Sequence, residues 1–350
     1  MKNVTKIIIA AGLMCMLSVA AAQAREIVDM AGRRVEIPDN PARVYSPAPY
    51  GVIIIYAFNP AILCSTMKLY NEAESVWLDE RARNLPVIGS LSGDGATANL
   101  EKLLAAKPDL ALNFVMGHKD DYDPVNSRAE QVFNRLGIPY VTVFAKDLRD
   151  YPAVCEFLGE VFNAPTRGRA MADYVRGALA DAARLVAEVP PAKRPRVYYA
   201  VGLDGLTTAN QNSYHAVLLK IAGNVNVHVN EQLPDNTGMY EKLSLEHVYS
   251  YDPDIVFVYD KLFYDQVYAN PNWQRIKAVR DRKVYYYPRG PFIWCDRPPS
   301  IMGAIGLKWT LTKLYPEHYD IDIVAEAQKF YQDFLWADIS YAEMEQIVNP

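Results

Sequence analysis

The sequence is poor in the residues that build metal cages and disulfide frameworks. It has only four cysteines among 350 residues, and no C-x-x-C pair, H-x-H pair or carboxylate cluster is present to enclose a metal ion. Beyond the N-terminal region the cysteines are Cys64, Cys155 and Cys295, an odd number that permits one disulfide at most. We therefore expect the hydrophobic core to supply the stability, and we predict no metal site and no resident cofactor.

An excess of positive charge is missing as well. The chain has 36 Lys and Arg against 41 Asp and Glu, a formal net charge of −5 at pH 7. Nucleic acid is therefore not expected as a partner, because phosphate recognition requires a basic surface. The chain also lacks the G-x-S-x-G elbow of an α/β hydrolase and shows no nucleophile with a matching base. We predict no catalytic residues; an exported hydrolase is the enzyme alternative.

Long apolar runs are absent except at the start of the chain. Lys2 and Lys6 precede an apolar run over residues 7–19, and a small-x-small site ends at Ala24. This pattern is typical of a secretory signal peptide, residues 1–24, with the cut after Ala24. A membrane anchor is the alternative, but the run is short for a hydrocarbon core about 30 Å thick. We therefore expect an exported protein.

Short apolar segments alternate with helical patterns along the rest of the chain. After a hairpin near residues 26–37, this order indicates parallel βα units in each half, with a ligand cleft between the halves. Residues 165–189 show uninterrupted helical spacing that ends at two prolines, which predicts one stiff connecting helix. The expected fold class is α/β, with two Rossmann-like lobes of parallel sheets joined by one long interlobe α-helix. The predicted boundaries are 25–164, 165–190 and 191–350.

Further elements are predicted within each half. In the first half we expect strands at residues 43–45, 108–113 and 137–144, and helices near 51–58 and 126–136. In the second half the expected strands are 196–201, 255–259 and 283–287, and the expected helices are 213–222 and 298–314.

One short segment occurs twice. N-L-E-K-L-L-A-A-K-P-D-L at residues 99–110 and S-L-E-H-V-Y-S-Y-D-P-D-I at residues 244–255 share Leu, Glu, Pro and Asp at the same places. Asn99 and Ser244 are good N-caps. Glu101 and Glu246 then lie in the first helical turn, where the helix dipole favours a negative charge. Capping a helix is one sufficient explanation of both glutamates.

The whole mature chain resembles the class III periplasmic substrate-binding proteins of ABC importers, the type that serves iron-siderophores, haem and cobalamin. The likeness is carried by R-E-I-V-D-M-A-G-R-R-V-E-I-P, P-A-R-V-Y-S-P-A-P-Y, the repeated segments, the interlobe helix and N-W-Q-R-I-K-A-V-R-D-R-K-V-Y-Y-Y-P, in this order. The resemblance implies a periplasmic monomer that docks on an ABC permease dimer at the inner membrane. In such proteins one glutamate per lobe contacts one permease subunit, which assigns Glu101 and Glu246 as docking anchors.

The resemblance also implies which loops form the cleft, and these loops are rich in aromatic residues. R-G-P-F-I-W-C-D-R-P-P-S at residues 289–300 is the richest. An arginine fork there suits carboxylate or other anionic oxygen. As alternatives, Trp294 could belong to the core, Arg297 could pair with Asp296 at a helix start, and His118 could be merely solvated. The predicted ligand-binding residues are Tyr50, His118, Tyr122, Tyr214, Tyr240, Trp294 and Arg297.

The ligand expected from these loops is a small-molecule metal chelate. Aromatic loops with a few cationic groups suit an anionic or amphipathic complex, and a carried metal would arrive inside its chelator. Ferric siderophore is the first choice. Corrinoid, haem, nickel chelate and molybdate are the alternatives for the same kind of importer. A chelatase-like scaffold with a related two-lobed architecture is the alternative from another class.

Overall fold

Two parallel sheets, one in each half of the chain, frame the molecule. The computed structural model describes residues 24–68, 75–91, 97–234 and 238–350. The predicted signal peptide, apart from Ala24, lies outside the described residues, as do the middle of the expected cleft loop at 90–97 and residues 235–237. Within the described residues no helix combines the length and the apolarity needed to cross a bilayer.

The first sheet has three parallel strands in the order β3-β4-β5. They are β3 (Val44–Tyr45), β4 (Leu110–Met116) and β5 (Tyr140–Ala145), with Val44 opposite Leu110. The first five residues of β4 are buried in an unbroken row, as expected for a parallel strand covered on both faces. An antiparallel hairpin of β1 (Ala24–Val28) and β2 (Arg34–Pro38) precedes this sheet.

The second sheet has four parallel strands in the order β11-β10-β6-β8. Beside it lies a small antiparallel ribbon of two further strands, β7 and β9. In chain order these strands are β6 (Arg196–Ala200), β7 (Thr207–Thr208), β8 (Val225–Asn226), β9 (Glu241–Lys242), β10 (Ile255–Val258) and β11 (Val284–Tyr286).

Thirteen α-helices occur in the part of the chain that the structure describes. They are α1 (Pro49–Phe58), α2 (Glu80–Arg83), α3 (Leu100–Ala106), α4 (Arg128–Leu136), α5 (Tyr151–Val161), α6 (Pro165–Glu188), α7 (Val217–Ile221), α8 (Leu245–Tyr251), α9 (Lys261–Val267), α10 (Lys277–Arg280), α11 (Gly303–Leu314), α12 (Ile323–Phe334) and α13 (Tyr341–Val348).

Helix α6 connects the two sheets, as the sequence predicts. It has 24 residues, about 36 Å at 1.5 Å per residue. Its buried positions recur at helical spacing. Where it crosses α5, a Cβ on Gly168 would lie 2.9 Å from the Cα of Gly159 and 2.5 Å from the carbonyl of Cys155. Glycine at this crossing therefore allows the two helices to touch backbone to backbone.

The predicted helix at 298–314 begins five residues later than expected, at Gly303. Residues 289–299 instead fold back on themselves, with single bridges from Arg289 to Ile293 and from Asp296 to Pro299. The helix then packs closely against this loop. Glycine at position 306 permits the contact, since a Cβ there would lie 1.8 Å from the carbonyl oxygen of Trp294. The helix predicted at 213–222 is also shorter, and spans α7 only.

The C-terminal helices contact the first half of the chain. The Tyr56 hydroxyl donates to the Leu335 carbonyl at 3.2 Å. Arg167 on α6 donates to the Ala57 carbonyl at 2.6 and 2.8 Å, and its guanidinium carbon lies 4.3 Å from the centre of the Trp336 ring. The two halves are therefore joined by more than the interlobe helix.

Candidate functional site

A cleft of about 460 Å³ lies where the two halves meet. One wall is the start of α1, and the facing wall is the loop that follows β11, together with Tyr259 directly after β10. Ligands of open α/β sheets bind outside the carboxyl ends of the strands. The lining residues are Pro49, Val52, Ile53, Met67, Lys68, Tyr259, Arg289, Gly290, Pro291, Phe292, Ile293, Arg297 and Pro298.

Two arginines give the cleft a positive wall. The guanidinium carbon of Arg289 lies 4.9 Å from the centre of the Tyr259 ring, and that of Arg297 lies 4.3 Å from the same centre. Arg289 also donates to the Tyr259 carbonyl at 2.6 Å. Its Nε is buried and has no hydrogen-bond partner among the described residues. Among the described residues that line the cleft there is no Asp or Glu, so this part of the site is suited to anions.

Arg297 is held from behind by a tyrosine. Its Nε donates to the Tyr240 hydroxyl at 2.7 Å, and its guanidinium carbon lies 4.2 Å from the centre of the Tyr240 ring. The pKa of Arg297 is raised, because the effect of burial, which lowers it, is outweighed by Tyr240, Tyr199 and Asp296. Burial, and then the nearby Asp296 carboxylate, raise the pKa of Tyr240. The tyrosine is therefore neutral and the arginine charged at any physiological pH.

The structure brings four of the predicted ligand-binding residues to this region. Arg297 lines the cleft, and Tyr240 contacts it directly. The Tyr214 ring contacts the His215 ring at a tilt of 47°, and the His215 ring in turn stacks on Tyr240 with centres 4.4 Å apart. Tyr50 directly follows Pro49 of the cleft wall, and its ring packs on Phe114 with centres 5.1 Å apart.

Trp294 lies in the core instead of on the cleft wall. Its side chain is completely buried, and its Nε1 donates to the Tyr331 hydroxyl at 2.9 Å. Asp296 and Arg297 also differ from the simple pair considered above. Each side chain hydrogen-bonds to Tyr240, with Asp296 accepting at 3.3 Å.

His118 and Tyr122 lie apart from the residues that line the cleft. His118 is exposed at the start of a short 3₁₀ turn after β4. The Tyr122 hydroxyl donates to Glu130 at 2.8 Å and accepts from Asn113 at 2.9 Å. This polar group continues to Arg33, which contacts Glu130 on α4 at 2.9 Å. Arg33 also donates to Thr142 on β5 at 2.7 Å, which joins the hairpin to the sheet. Burial raises the pKa of Tyr122 to about 12.

Sequence reasoning missed Arg289 and Tyr259 as individual site residues. Both were visible in the sequence, since Arg289 begins the loop that ends near Arg297, and Tyr259 ends the strand predicted at 255–259. Both residues stand at or just after the carboxyl end of a parallel strand, and this position could have identified them as candidate ligand contacts.

The repeated segments form matched helices, α3 and α8, of seven residues each. Asn99 and Ser244 cap them by accepting from the backbone N–H three residues later, as predicted. Glu101 and Glu246 are both exposed. The pKa of Glu246 is lowered, first by its own backbone N–H and then by Ser244. The two glutamates therefore occupy equivalent, water-facing positions.

The ends of these helices are also matched, in a way the sequence analysis did not detect. Arg43 donates to the last helical carbonyl of α3 at 2.7 Å, and Arg196 donates to that of α8 at 2.7 Å. Asp109 accepts from the Arg43 backbone at 2.9 Å, and Asp254 accepts from the Arg196 backbone at 3.0 Å. Each arginine begins an R-V-Y segment, with Arg43 directly before β3 and Arg196 as the first residue of β6, so the repeat extends beyond the helix to the neighbouring strand.

The residues before the two repeated prolines adopt an unusual backbone. Lys107 has φ 46° and Asp252 has φ 38°, both left-handed. A residue before proline normally takes an extended conformation. The chain instead turns sharply here, and each strand begins three residues later, at Leu110 and at Ile255.

The three cysteines in the described residues are free and buried. Within the same residues, no group of three or more His, Cys, Asp or Glu side chains is placed to hold a metal ion.

Comparisons with known proteins agree with this architecture. Residues 74–290 match the family model described as periplasmic binding protein. The molybdate-binding protein MolA of Haemophilus influenzae is 26% identical, over 94% of this chain and 96% of its own. A vitamin B12-binding protein of Pectobacterium atrosepticum is 28% identical, over 66% of this chain and 77% of its own. An ABC transporter solute binding protein from Sulfurospirillum deleyianum has a TM-score of 0.82 and 30% identity, over 92% of this chain and 98% of that one.

Proposed function

Because this chain belongs to the periplasmic binding protein family, we propose that it captures an anionic small molecule and delivers it to an ABC importer. The proposal that the ligand is negatively charged rests on the positive wall formed by Arg289 and Arg297 around Tyr259. Both guanidinium groups line the cleft, and the lining residues that the structure describes include no carboxylate. A planar guanidinium presents a fork of donors that fits carboxylate and other anionic oxygens.

The ligand proposed first is an anionic metal chelate, with ferric siderophore as the leading case. A cleft of about 460 Å³ is within the range of small-molecule sites and far larger than a bare tetrahedral oxyanion requires. Apolar side chains of Val52, Ile53 and Phe292 line the same space. They suit the organic part of a chelator, while the arginines suit its charged oxygens.

Molybdate is the second candidate. It is favoured by the relative from Haemophilus influenzae, whose name states that it binds molybdate and whose similarity extends over nearly the whole chain. The positive wall would suit this dianion too. Corrinoid is suggested by the vitamin B12-binding relatives, which match a smaller share of the chain.

Binding titrations with purified protein test this proposal. The probes are ferric citrate, a ferric catecholate, molybdate and cyanocobalamin, followed by calorimetry and by tryptophan fluorescence. We expect a ferric chelate to bind most tightly. Arg297→Ala should weaken that binding about tenfold or more, since a hydrogen bond to a charged group contributes about 1.5–3 kcal/mol. Tight binding of molybdate alone would favour the second candidate.

Arg169→Ala is the matched control for this experiment. Arg169 is an exposed arginine on α6, and it does not line the cleft. Its removal changes the net charge equally and should leave affinity unchanged. Equal affinity in the Arg297→Ala and wild-type proteins, or no binding of any of the four probes, would contradict the proposed function.

The proposed partner is an ABC permease dimer, which a single copy of this protein would contact through Glu101 and Glu246. Both carboxylates are exposed, and both stand at the second position of a matched seven-residue helix. The helix dipole explains why an acidic residue is stable there. It does not explain why the whole surrounding arrangement, from cap to strand, occurs once in each half.

A further inference from the structure

A buried carboxylate stands directly behind Arg297. Asp296 is only 3% exposed. Its Oδ1 accepts from the Tyr199 hydroxyl at 2.6 Å and from the Cys295 thiol at 2.9 Å. Its Oδ2 accepts from the Tyr240 hydroxyl at 3.3 Å and lies 2.5 Å from His215 Nδ1. We refer to Asp296, Tyr199, His215 and Tyr240 as the Asp296 cluster.

Tyr240 is the member of this cluster that reaches Arg297. Its hydroxyl accepts from Arg297 Nε and donates to Asp296, so it uses both of its hydrogen-bonding capacities at once. Its ring is held on the other side by His215, at 29° between the ring planes. Both the hydroxyl and the ring of Tyr240 are therefore fixed by cluster members before any ligand arrives.

The guanidinium of Arg297 lies against the Tyr240 and Tyr259 rings, and its Nε edge is fixed by a hydrogen bond. Among the described residues, the hydrogen bond from Nε to Tyr240 is the one that Arg297 makes with its side chain, while the side chain as a whole lines the cleft. A long arginine side chain has considerable rotamer freedom. Fixing that freedom in advance lowers the ordering cost of binding.

We propose that Asp296 and His215 are positioning residues, which orient Tyr240 and, through it, aim the Arg297 guanidinium into the cleft. This inference rests on the proposed function, in which Arg297 contacts an anionic ligand. The cluster does not touch the ligand itself. It acts by holding one edge of the guanidinium, so that the opposite edge faces the bound anion.

A purely structural cluster would behave differently. Buried hydrogen-bonded groups often stabilise a core and nothing more. In that case, removing the Tyr240 hydroxyl would lower stability, and any change in affinity would be independent of Arg297. A positioning role instead requires that the effect of Tyr240 on affinity depend on the presence of the Arg297 guanidinium.

The first experiment needs no ligand. Nitrogen-15 NMR resolves arginine Nε–H groups, and the Arg297 signal is identified by its loss in Arg297→Lys. We expect this Nε–H to exchange slowly with water in the wild-type protein, and to lose that protection in Tyr240→Phe and Asp296→Asn. Tyr319→Phe is the matched control, because the Tyr319 hydroxyl donates to Asp181 at 2.6 Å and belongs to neither the cleft nor the cluster. Unchanged protection in Tyr240→Phe would overturn the proposal.

The second experiment is a double-mutant cycle with ferric citrate and molybdate as probes. Tyr240→Phe keeps the ring and removes the hydroxyl, so we expect roughly fivefold weaker binding in the wild-type background. In the Arg297→Ala background it should have no further effect, since the guanidinium that it orients is gone. Equal effects in both backgrounds would overturn the positioning role. If the wild-type protein binds neither probe, the proposed function fails at that step, and the NMR comparison still decides whether the cluster orients Arg297.

Discussion

At the scale of single residues, the three thiols in the described residues are buried and do not line the charged cleft. Cys64 and Cys155 are buried in the first half, and Cys295 is buried beside Asp296, behind the cleft wall. Burial raises the pKa of Cys64 to about 12, and it raises the pKa values of the other two thiols as well. A thiol reacts as its thiolate, which these shifts suppress at neutral pH.

We predict that all three thiols are unreactive in the native protein. At pH 7 to 8, Ellman's reagent should label none of them within minutes, because their raised pKa values keep them protonated and burial excludes the reagent. In denaturant, protein that lacks residues 1–24 should release three equivalents of the chromophore. Rapid labelling of any thiol in the native state, or fewer than three in denaturant, would contradict this prediction.

At the scale of elements, the same helix-and-strand arrangement is built twice from different residues. Asn caps one helix and Ser the other, and each is followed by a glutamate at the same place. In each half an arginine and an aspartate then connect the end of the helix to the neighbouring strand. The contacts are alike although the core side chains differ, with Leu103 in one helix and Val248 in the other.

We predict that the two caps contribute equally to stability. Asn99→Ala and Ser244→Ala should each lower the free energy of unfolding by about 1 kcal/mol, because each removes the acceptor for one backbone N–H of the first turn. Urea unfolding measures the change. Lys102→Ala, an exposed substitution in α3, is the control and should change the free energy by less than about 0.5 kcal/mol. Loss of stability in only one of the two cap variants would show that the repeat is not equivalent.

The sequence was sufficient for features that depend on local periodicity. The interlobe helix, predicted at 165–189, spans Pro165–Glu188, and the caps at Asn99 and Ser244 are as predicted. It was insufficient where the chain folds back on itself. In residues 289–299, tertiary contacts decide that Trp294 faces the core and Arg297 the cleft. Tryptophan and arginine are both residue types that often contact ligands. The sequence of the loop alone therefore could not show which of the two faces the cleft.

At the scale of the whole molecule, two lobes enclose a cleft, and each lobe carries one exposed glutamate on its matched helix. In the proposed function, capture and delivery therefore use different surfaces. The cleft depends on loops at the carboxyl ends of the strands, whereas the glutamates stand on helices that precede β4 and β10. Substitutions on one surface should leave the other intact.

We predict that reversing both charges separates delivery from capture. The double variant Glu101→Lys with Glu246→Lys should abolish ligand uptake by the reconstituted importer, because each proposed docking carboxylate would be replaced by a positive charge. Ligand affinity measured by calorimetry should be unchanged. Glu317→Lys, at an exposed loop glutamate, is the matched control and should support normal uptake. Uptake that survives the double reversal would remove both glutamates from the docking role.

The paired arginine contacts, from Arg43 to the end of α3 and from Arg196 to the end of α8, have a consequence for the design of experiments. A substitution at one of the shared residues in one copy has a counterpart in the other, within one polypeptide and under identical solvent conditions. A substitution that affects only folding should have a similar effect on stability in both copies. A substitution that affects a contact with a binding partner made by one copy should have an effect in that copy alone. Each copy therefore serves as an internal control for the other.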